Sequence, residues 1–160
     1  MKLSNKSFYV IVSLITLIDQ FLKNFVQAVI PNGYEYNKFL HLVYVQNFGV
    51  SFGFLNLGHD EMILRILISL IVGLIIVYLC CMKNKNLWIA MILGGAFGNL
   101  VDRIFLGYVV DFIDISFEKF HWPAFNFADF CICVGIFGSM FFYKTSQKEN
   151  VETKKPEEKK

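Results

Sequence analysis

Three aspartates, Asp111, Asp114 and Asp129, fall within the stretch VVDFIDISFEKFHWPAFNFADF, residues 109–130, which leads straight into an apolar run. Two carboxyls held close together cannot both ionise easily, so one keeps a proton while the other is a carboxylate. Such a pair takes a proton from water and gives one to a carbonyl oxygen. That is the general acid–base chemistry that hydrolyses a peptide bond without a covalent intermediate. Acids in an apolar setting are costly to desolvate, which makes function their default reading. A nucleophilic alternative is GVSFG (49–53), which fits G-x-S-x-G with Ser51 at its centre. A nucleophile elbow needs a strand-to-helix turn in an α/β sheet, with Asp and His following, and this chain has no room for that sheet. His41, His59 and His121 form no metal-ligand spacing. Cys80, Cys81, Cys131 and Cys133 lie in apolar runs, as C-C and C-x-C with no second pair or nearby His. They read as small buried hydrophobes, not as a zinc site or a disulfide framework.

The elements that must position these residues are apolar blocks. The chain has 160 residues, enough for one domain, and is 56% hydrophobic with 18 Phe. A spanning helix needs ~20 mostly apolar residues, and four segments supply them at about 8–30, 62–82, 87–106 and 125–143. The expected fold is an all-α membrane protein of four transmembrane helices. No small-x-small cleavage site follows the first apolar block, so it reads as a span, not a removed signal peptide. With four spans both termini share a side. That side carries Lys2, Lys6, Lys83, Lys85, Lys144, Lys148 and the tail lysines, whereas the other side carries Lys38 and Lys119. Both termini are therefore expected to be cytoplasmic, with 31–61 and 107–124 facing outward. Pro31-Asn32-Gly33 is a turn signal, and 39–46 is rich in strand formers. Asp60 and Glu61 stand where a helix start favours acids. The aromatic stretch 107–124 suits a segment lying on the membrane surface. Residues 144–160 form a charged cytoplasmic tail with little to bury, expected to be disordered.

Polar residues inside these blocks share faces. Gly95, Gly98, Asn99 and Asp102 fall at i, i+3, i+4, i+7, one stripe of a helix, and in lipid such a stripe faces other helices. Gly94 and Gly98 also spell G-x-x-x-G, which packing alone explains; it does not explain Asn99, Asp102 and Arg103 together. Asp19 and Lys23 are i, i+4 and pair on a helix; Gln20, Asn24 and Gln27 form a second polar line. Arg65 is expected to snorkel outward. Asn126 and Asp129 share a face at the outer end of the fourth segment, and Asp111 lies just beyond the outer end of the third. Carboxyls from different elements thus meet near the outer surface. Asp114 remains a candidate by location.

Taken together, these residues resemble the bacterial lipoprotein signal peptidase (signal peptidase II) family over about residues 15–140. DQFLK (19–23) is similar to D-Q-x-x-K, and NFGVSFGF (47–54) to N-x-G-x-x-F. GGAFGNLVDRIFLGYVVDF (94–112) is similar to G-G-A-x-G-N-x-x-D-R-x-x-x-G-x-V-x-D-F, and FNFAD (125–129) to F-N-x-A-D. Each motif is short, but four in the family's order among four spans are specific. Val50 departs from the pattern, where Ala is frequent. The resemblance implies an aspartyl endopeptidase that removes signal peptides from diacylglyceryl-modified prolipoproteins, cutting just before the lipidated cysteine. It selects Asp111 and Asp129 as the catalytic pair. It implies that Asn47, Asn99, Arg103 and Asn126 shape the site and contact substrate, with Asp19 and Lys23 in support. The motifs also carry Gly49, Asp102 and Ala128 into the site. Further implications are a small extracytoplasmic β-rich cradle, a bacterial inner-membrane location with the active site near the outer face, and a peptidase unit over 1–143. The expected partners are prolipoprotein substrates and membrane lipid, with no nucleic acid, metal or cofactor, and the chain is expected to be a monomer. The competing reading is a small four-span proton-coupled exporter with Asp19 as proton carrier. Its weakness is that the large, patterned outer loops and the acid pair go unexplained.

Overall fold

The computed structural model describes residues 3–49, 61–117 and 120–152. Among them run α1 (Asn5–Val29), β1 (Tyr34–Glu35), β2 (Leu40–Asn47), α2 (Glu61–Cys81), α3 (Leu87–Phe105), β3 (Val109–Phe117), β4 (Phe120–His121) and α4 (Phe127–Glu152). Ser51 and its G-x-S-x-G, Val50, His59 and Asp60 lie outside the described residues. Side-chain caps set the helix starts. Ser4 Oγ accepts the Ser7 N–H at 3.1 Å, and Asn86 Oδ1 accepts the Ile89 N–H at 3.0 Å.

The central helix is α3, packed against α1, α2 and α4. The glycine stripe allows this. A β-carbon at Gly94 would sit 2.8 Å from Cβ of Ile15 on α1, and one at Gly95 would strike the Ala128 carbonyl on α4. At Gly98 it would lie 2.5 Å from Asp19 Oδ2. Small residues let helix backbones approach where lipid supplies no hydrophobic driving force. An apolar core of Phe8, Val12, Ile76, Leu79, Ile89, Ala90, Leu93 and Ala96 closes the end where the N-terminus lies.

The polarity of the bundle is inverted. Leu74 and Phe137 are 71% and 72% exposed, whereas Asp19 and Asn126 are fully buried. Backbone and side-chain polar groups satisfied inside, with apolar side chains outside, are what a hydrocarbon solvent requires. Among the described residues two helices, α1 and α3, are long and apolar enough to cross a membrane. Shorter apolar stretches lie at 65–81 in α2 and 127–141 in α4.

The strands form an antiparallel sheet in the order β1-β2-β3-β4. β2 pairs with β3 from Leu40↔Ile115 to Asn47↔Val109, with a register shift between Leu42 and Val45. The stretch 107–124, expected simply to lie on the membrane surface, supplies β3 and β4. Its β-branched and aromatic residues find ladder partners there. At the other end of the chain, α4 runs on to Glu152, so the first part of the tail expected to be disordered is helical. Lys, Gln and Glu there are good helix formers. Of the four cysteines, Cys131 is buried, Cys80 half-buried, and Cys81 and Cys133 face outward; an outward thiol is tolerated where the exterior is already apolar.

Candidate active site

Asp111 and Asp129 come from different elements, and two backbone anchors join those elements. Asp102 Oδ2 accepts the Val110 N–H at 3.0 Å, tying the start of β3 to the end of α3. Ile113 and Phe125 exchange backbone hydrogen bonds of 2.9 and 3.0 Å, tying β3 to the residue that precedes Asn126. Asn126 then caps α4. Its Oδ1 accepts the Asp129 N–H at 2.9 Å, and Asp129 Oδ2 accepts the Asn126 N–H at 3.2 Å. This is a reciprocal capping box.

The Asn126 side chain turns the other way. Its Nδ2 donates to Asp111 Oδ1 at 2.7 Å and also lies within reach of Asn99 Oδ1 and the Val110 carbonyl. One residue therefore hydrogen-bonds both carboxyls. The remaining oxygens are held by amides. Asn47 Nδ2 donates to Asp111 Oδ2 at 2.8 Å, and Asn99 Nδ2 donates to Asp129 Oδ1 at 2.8 Å. Burial, reinforced by the charge of Asp129 and opposed by the bonds from Asn47 and Asn126, pushes the Asp111 carboxyl up to about 6. A carboxyl tuned so close to neutrality can hold or release a proton at working pH.

Beneath the pair sits an ionic cluster. Lys23 Nζ pairs with Asp19 Oδ2 at 2.7 Å and Asp102 Oδ2 at 2.9 Å and donates to Asn99 Oδ1 at 2.9 Å. Asp19 Oδ1 accepts the Ala128 N–H at 2.9 Å, so α1 holds the first turn of α4. Asp102 Oδ1 takes a bond of 2.7 Å from Gln20 Nε2. Arg103 is half-buried at the end of α3, its Nη1 on the Asn99 carbonyl at 3.2 Å and its charge within range of Asp129, Asp102 and Asp111. Gly49 closes a turn with φ 88°, a backbone that favours glycine, and its N–H bonds Asn47 Oδ1 at 2.8 Å.

Every residue expected in the site thus lies in one contiguous network around Asp111 and Asp129. Three expectations change. Asp114, a candidate by location, does not join the pair: it and Asp111 are in β3 with an odd separation of three, so their side chains point to opposite faces. Arg65 does not simply snorkel outward; its guanidinium lies 4.6 Å from the centre of the Phe48 ring. The second polar line on α1 splits, since Gln20 turns inward while Asn24 and Gln27 stay exposed. A further signal was legible and not used: N-x-x-D at 126–129 is a capping-box spacing that marks a helix start and fixes Asp129 to it.

A Ser–His–Asp grouping also occurs. His41 pairs with Asp114 across the ladder, and His41 Nε2 lies 2.9 Å from Ser116 Oγ. Ser116 is buried and gives its own proton to the Lys38 carbonyl at 3.1 Å. Nε2 is then the donor, not the base, and the group clamps strands instead of activating a nucleophile. The exporter reading fails similarly. Asp19 is neutralised by Lys23 and buried against Gly98 and Ala128, with no exposure for proton exchange.

Comparison with known proteins gives the family. The family model described as Signal peptidase (SPase) II matches residues 11–145. A lipoprotein signal peptidase of Thermodesulfovibrio yellowstonii is 42% identical over 139 residues, covering 84% of this chain and 91% of the relative. One from Caldanaerobacter subterraneus subsp. tengcongensis is 42% identical over 145 residues, covering 84% and 95%. A bacterial membrane enzyme solved by the in meso method at 2.3 Å superposes with a TM-score of 0.69 at 26% identity, covering 99% of this chain and 98% of that one. With apolar side chains outside, a hydrogen-bonded network of polar side chains within, and these relatives along nearly its whole length, the chain belongs to the signal peptidase II family of integral membrane enzymes.

Proposed function

We propose that Asp111 and Asp129 are the catalytic pair with which this aspartic-type peptidase removes signal peptides from prolipoproteins. The observation that carries the assignment is Asn126, which bonds Asp111 Oδ1 through its side chain and Asp129 Oδ2 through its backbone. In this reading Asp111, whose hold on a proton is strengthened by burial, supplies the acid. Asp129 accepts a proton from water as the water oxygen attacks the scissile carbonyl carbon, and Asp111 protonates the carbonyl oxygen. Collapse of the tetrahedral intermediate returns a proton to the departing nitrogen, which becomes the amine of the lipidated cysteine. Arg103, Asn47, Asn99 and Asn126 orient the pair and meet substrate. Asp19, Lys23, Asp102, Gly49 and Ala128 hold the frame.

We further propose that α1 to α4 are four spans with both termini cytoplasmic, which the lysine distribution favours. The site then opens near the outer face, with the sheet as a cradle for the substrate. Residues 1–143 would form the working unit, and the tail beyond would be dispensable. A substrate anchored by a diacylglyceryl group reaches such a site from within the membrane, which the apolar outer faces of the helices permit. The test gives purified protein in detergent a prolipoprotein with and without its diacylglyceryl group. Cleavage before the modified cysteine, and only in the modified form, is expected. Equal cleavage of both forms, or of neither, would sink the reading.

A further inference from the structure

Asn47 does its work from the end of a strand. Its amide is fixed in one orientation, because Oδ1 accepts the Gly49 N–H at 2.8 Å and leaves Nδ2 to face Asp111. The turn that achieves this, Asn47–Phe48–Gly49, has one wall in the sheet and another in α2. On the sheet side the Phe48 ring meets the Tyr108 ring edge-on, with centroids 5.5 Å apart. Tyr108 in turn bonds Tyr44 through its hydroxyl at 2.9 Å. On the α2 side the Arg65 guanidinium covers Phe48 at 4.6 Å. One helical turn further along, Ile68 presses on Gly49 so closely that a β-carbon there would lie 2.8 Å from Ile68 Cδ1. Arg65 and Ile68 are i, i+3 and share a face of α2. Asp111 therefore receives a bond whose geometry is set by a helix that supplies neither carboxyl.

We propose that Arg65 is a positioning residue for the peptidase reaction: by stacking on Phe48 it holds the Asn47–Gly49 turn and keeps the Asn47 amide on Asp111. The inference rests on the catalytic assignment above. An arginine is suited to the task because its planar guanidinium can cover an aromatic face. The flexible alternative, a lysine, would keep the charge and lose the flat contact.

Among the described residues, the charged groups that face Asp111 are Asp129 of α4, Lys23 of α1 and Arg103 of α3; the Phe48 contact links Arg65 to it through the turn. Loosening the turn removes the Asn47 hydrogen bond, which lowers the proton affinity of Asp111. Whichever limb of the pH–rate profile Asp111 sets should then move to higher pH.

The experiment measures kcat, KM and the pH profile on lipid-modified prolipoprotein for wild type, Arg65→Ala, Arg65→Lys, Phe48→Leu and the Arg65→Ala/Phe48→Leu double variant. A stacked cation contributes enough to make the expected loss in kcat for Arg65→Ala about 2- to 30-fold, with KM within about two-fold and Arg65→Lys intermediate. The double variant should be no slower than the worse single one, since both act through one contact. Unchanged kcat in Arg65→Ala, an unmoved pH limb, or losses that multiply in the double variant would each overturn the proposal. Should Arg65→Ala fail to insert, Arg65→Lys and Phe48→Leu carry the same comparison. A wild type that cleaves normally beside an indifferent Arg65→Ala removes this inference alone; a wild type that fails to cleave removes the functional assignment beneath it.

Discussion

Two pairs of acids, three of them buried and Asp129 half-buried, sit a few side chains apart and have different surroundings. Asp19 and Asp102 share the ammonium of Lys23, with contacts of 2.7 and 2.9 Å. Among the described residues, the hydrogen bonds to Asp111 and Asp129 come from neutral donors: the amides of Asn47, Asn99 and Asn126 and one backbone N–H. The first two are held by one ammonium that packs between them. The second two, proposed as the catalytic pair, are oriented by neutral amides. Asn99 touches both groups, accepting from Lys23 and donating to Asp129, so it links the ionic cluster to the proposed catalytic pair.

The largest break in this comparison should come from the reactive pair. Asp111→Asn or Asp129→Asn keeps the shape and removes proton exchange, and turnover of lipid-modified substrate should fall about 10²- to 10⁴-fold or more. The double variant should be scarcely slower than either single one, because the two act as a unit. Near-normal turnover by either single variant would end the assignment.

Next in size is the fixed cluster, read through stability. Lys23→Met strands two buried carboxylates, and removing one partner of a buried ion pair costs about 3–5 kcal/mol. The melting midpoint in detergent should fall accordingly, and Asp19→Asn in the same chain should restore part of it. A midpoint unmoved by Lys23→Met would mean the cluster does not hold the frame.

Removing one neutral donor sharpens the contrast. Asn47→Ala should slow turnover by roughly 10- to 100-fold, the range expected for losing a hydrogen bond to a charged group. It should also raise the Asp111 limb of the pH profile. A slower enzyme with an unshifted profile would confine Asn47 to substrate contact.

A smaller effect should appear in stability against pH. Asp111 is raised from 3.8 to about 6 in the folded chain, so the folded state binds its proton more tightly than the unfolded one does. The resulting stabilisation is fully present below pH ~4 and is lost as pH rises through about 6. The melting midpoint should decline over that window, and Asp111→Asn should flatten the decline. The same slope in both proteins would place its source elsewhere.

The smallest effect belongs to Asp114, on the opposite face of β3. Asp114→Asn should keep turnover within about two-fold of wild type. A dead Asp114→Asn beside an active Asp111→Asn would move the chemistry three residues along the strand.

Much of this was legible in the sequence because helical periodicity records which face a residue occupies on its own element. Gly95, Gly98, Asn99 and Asp102 make one stripe whatever packs on it, and the i, i+4 spacing of Asp19 and Lys23 makes their pair local. The apolar blocks mark α1, α2 and α3 and the start of α4 to within a few residues, since length and hydropathy are properties of the chain alone; the polar end of α4 carries no such mark. What packs on the stripe is not such a property. Only the tertiary structure brings Lys23 of α1 onto Asp102 and Asn99 of α3, or lets Asn126 reach from the cap of α4 to Asp111 of β3. Those meetings depend on how closely the glycines of α3 admit its neighbours and on the Ile113–Phe125 bridge. Arg65 marks the boundary most sharply. Its position near a helix end gives a snorkelling side chain by rule. Its place over Phe48 follows from where a turn on another element happens to run, and no spacing within α2 encodes that.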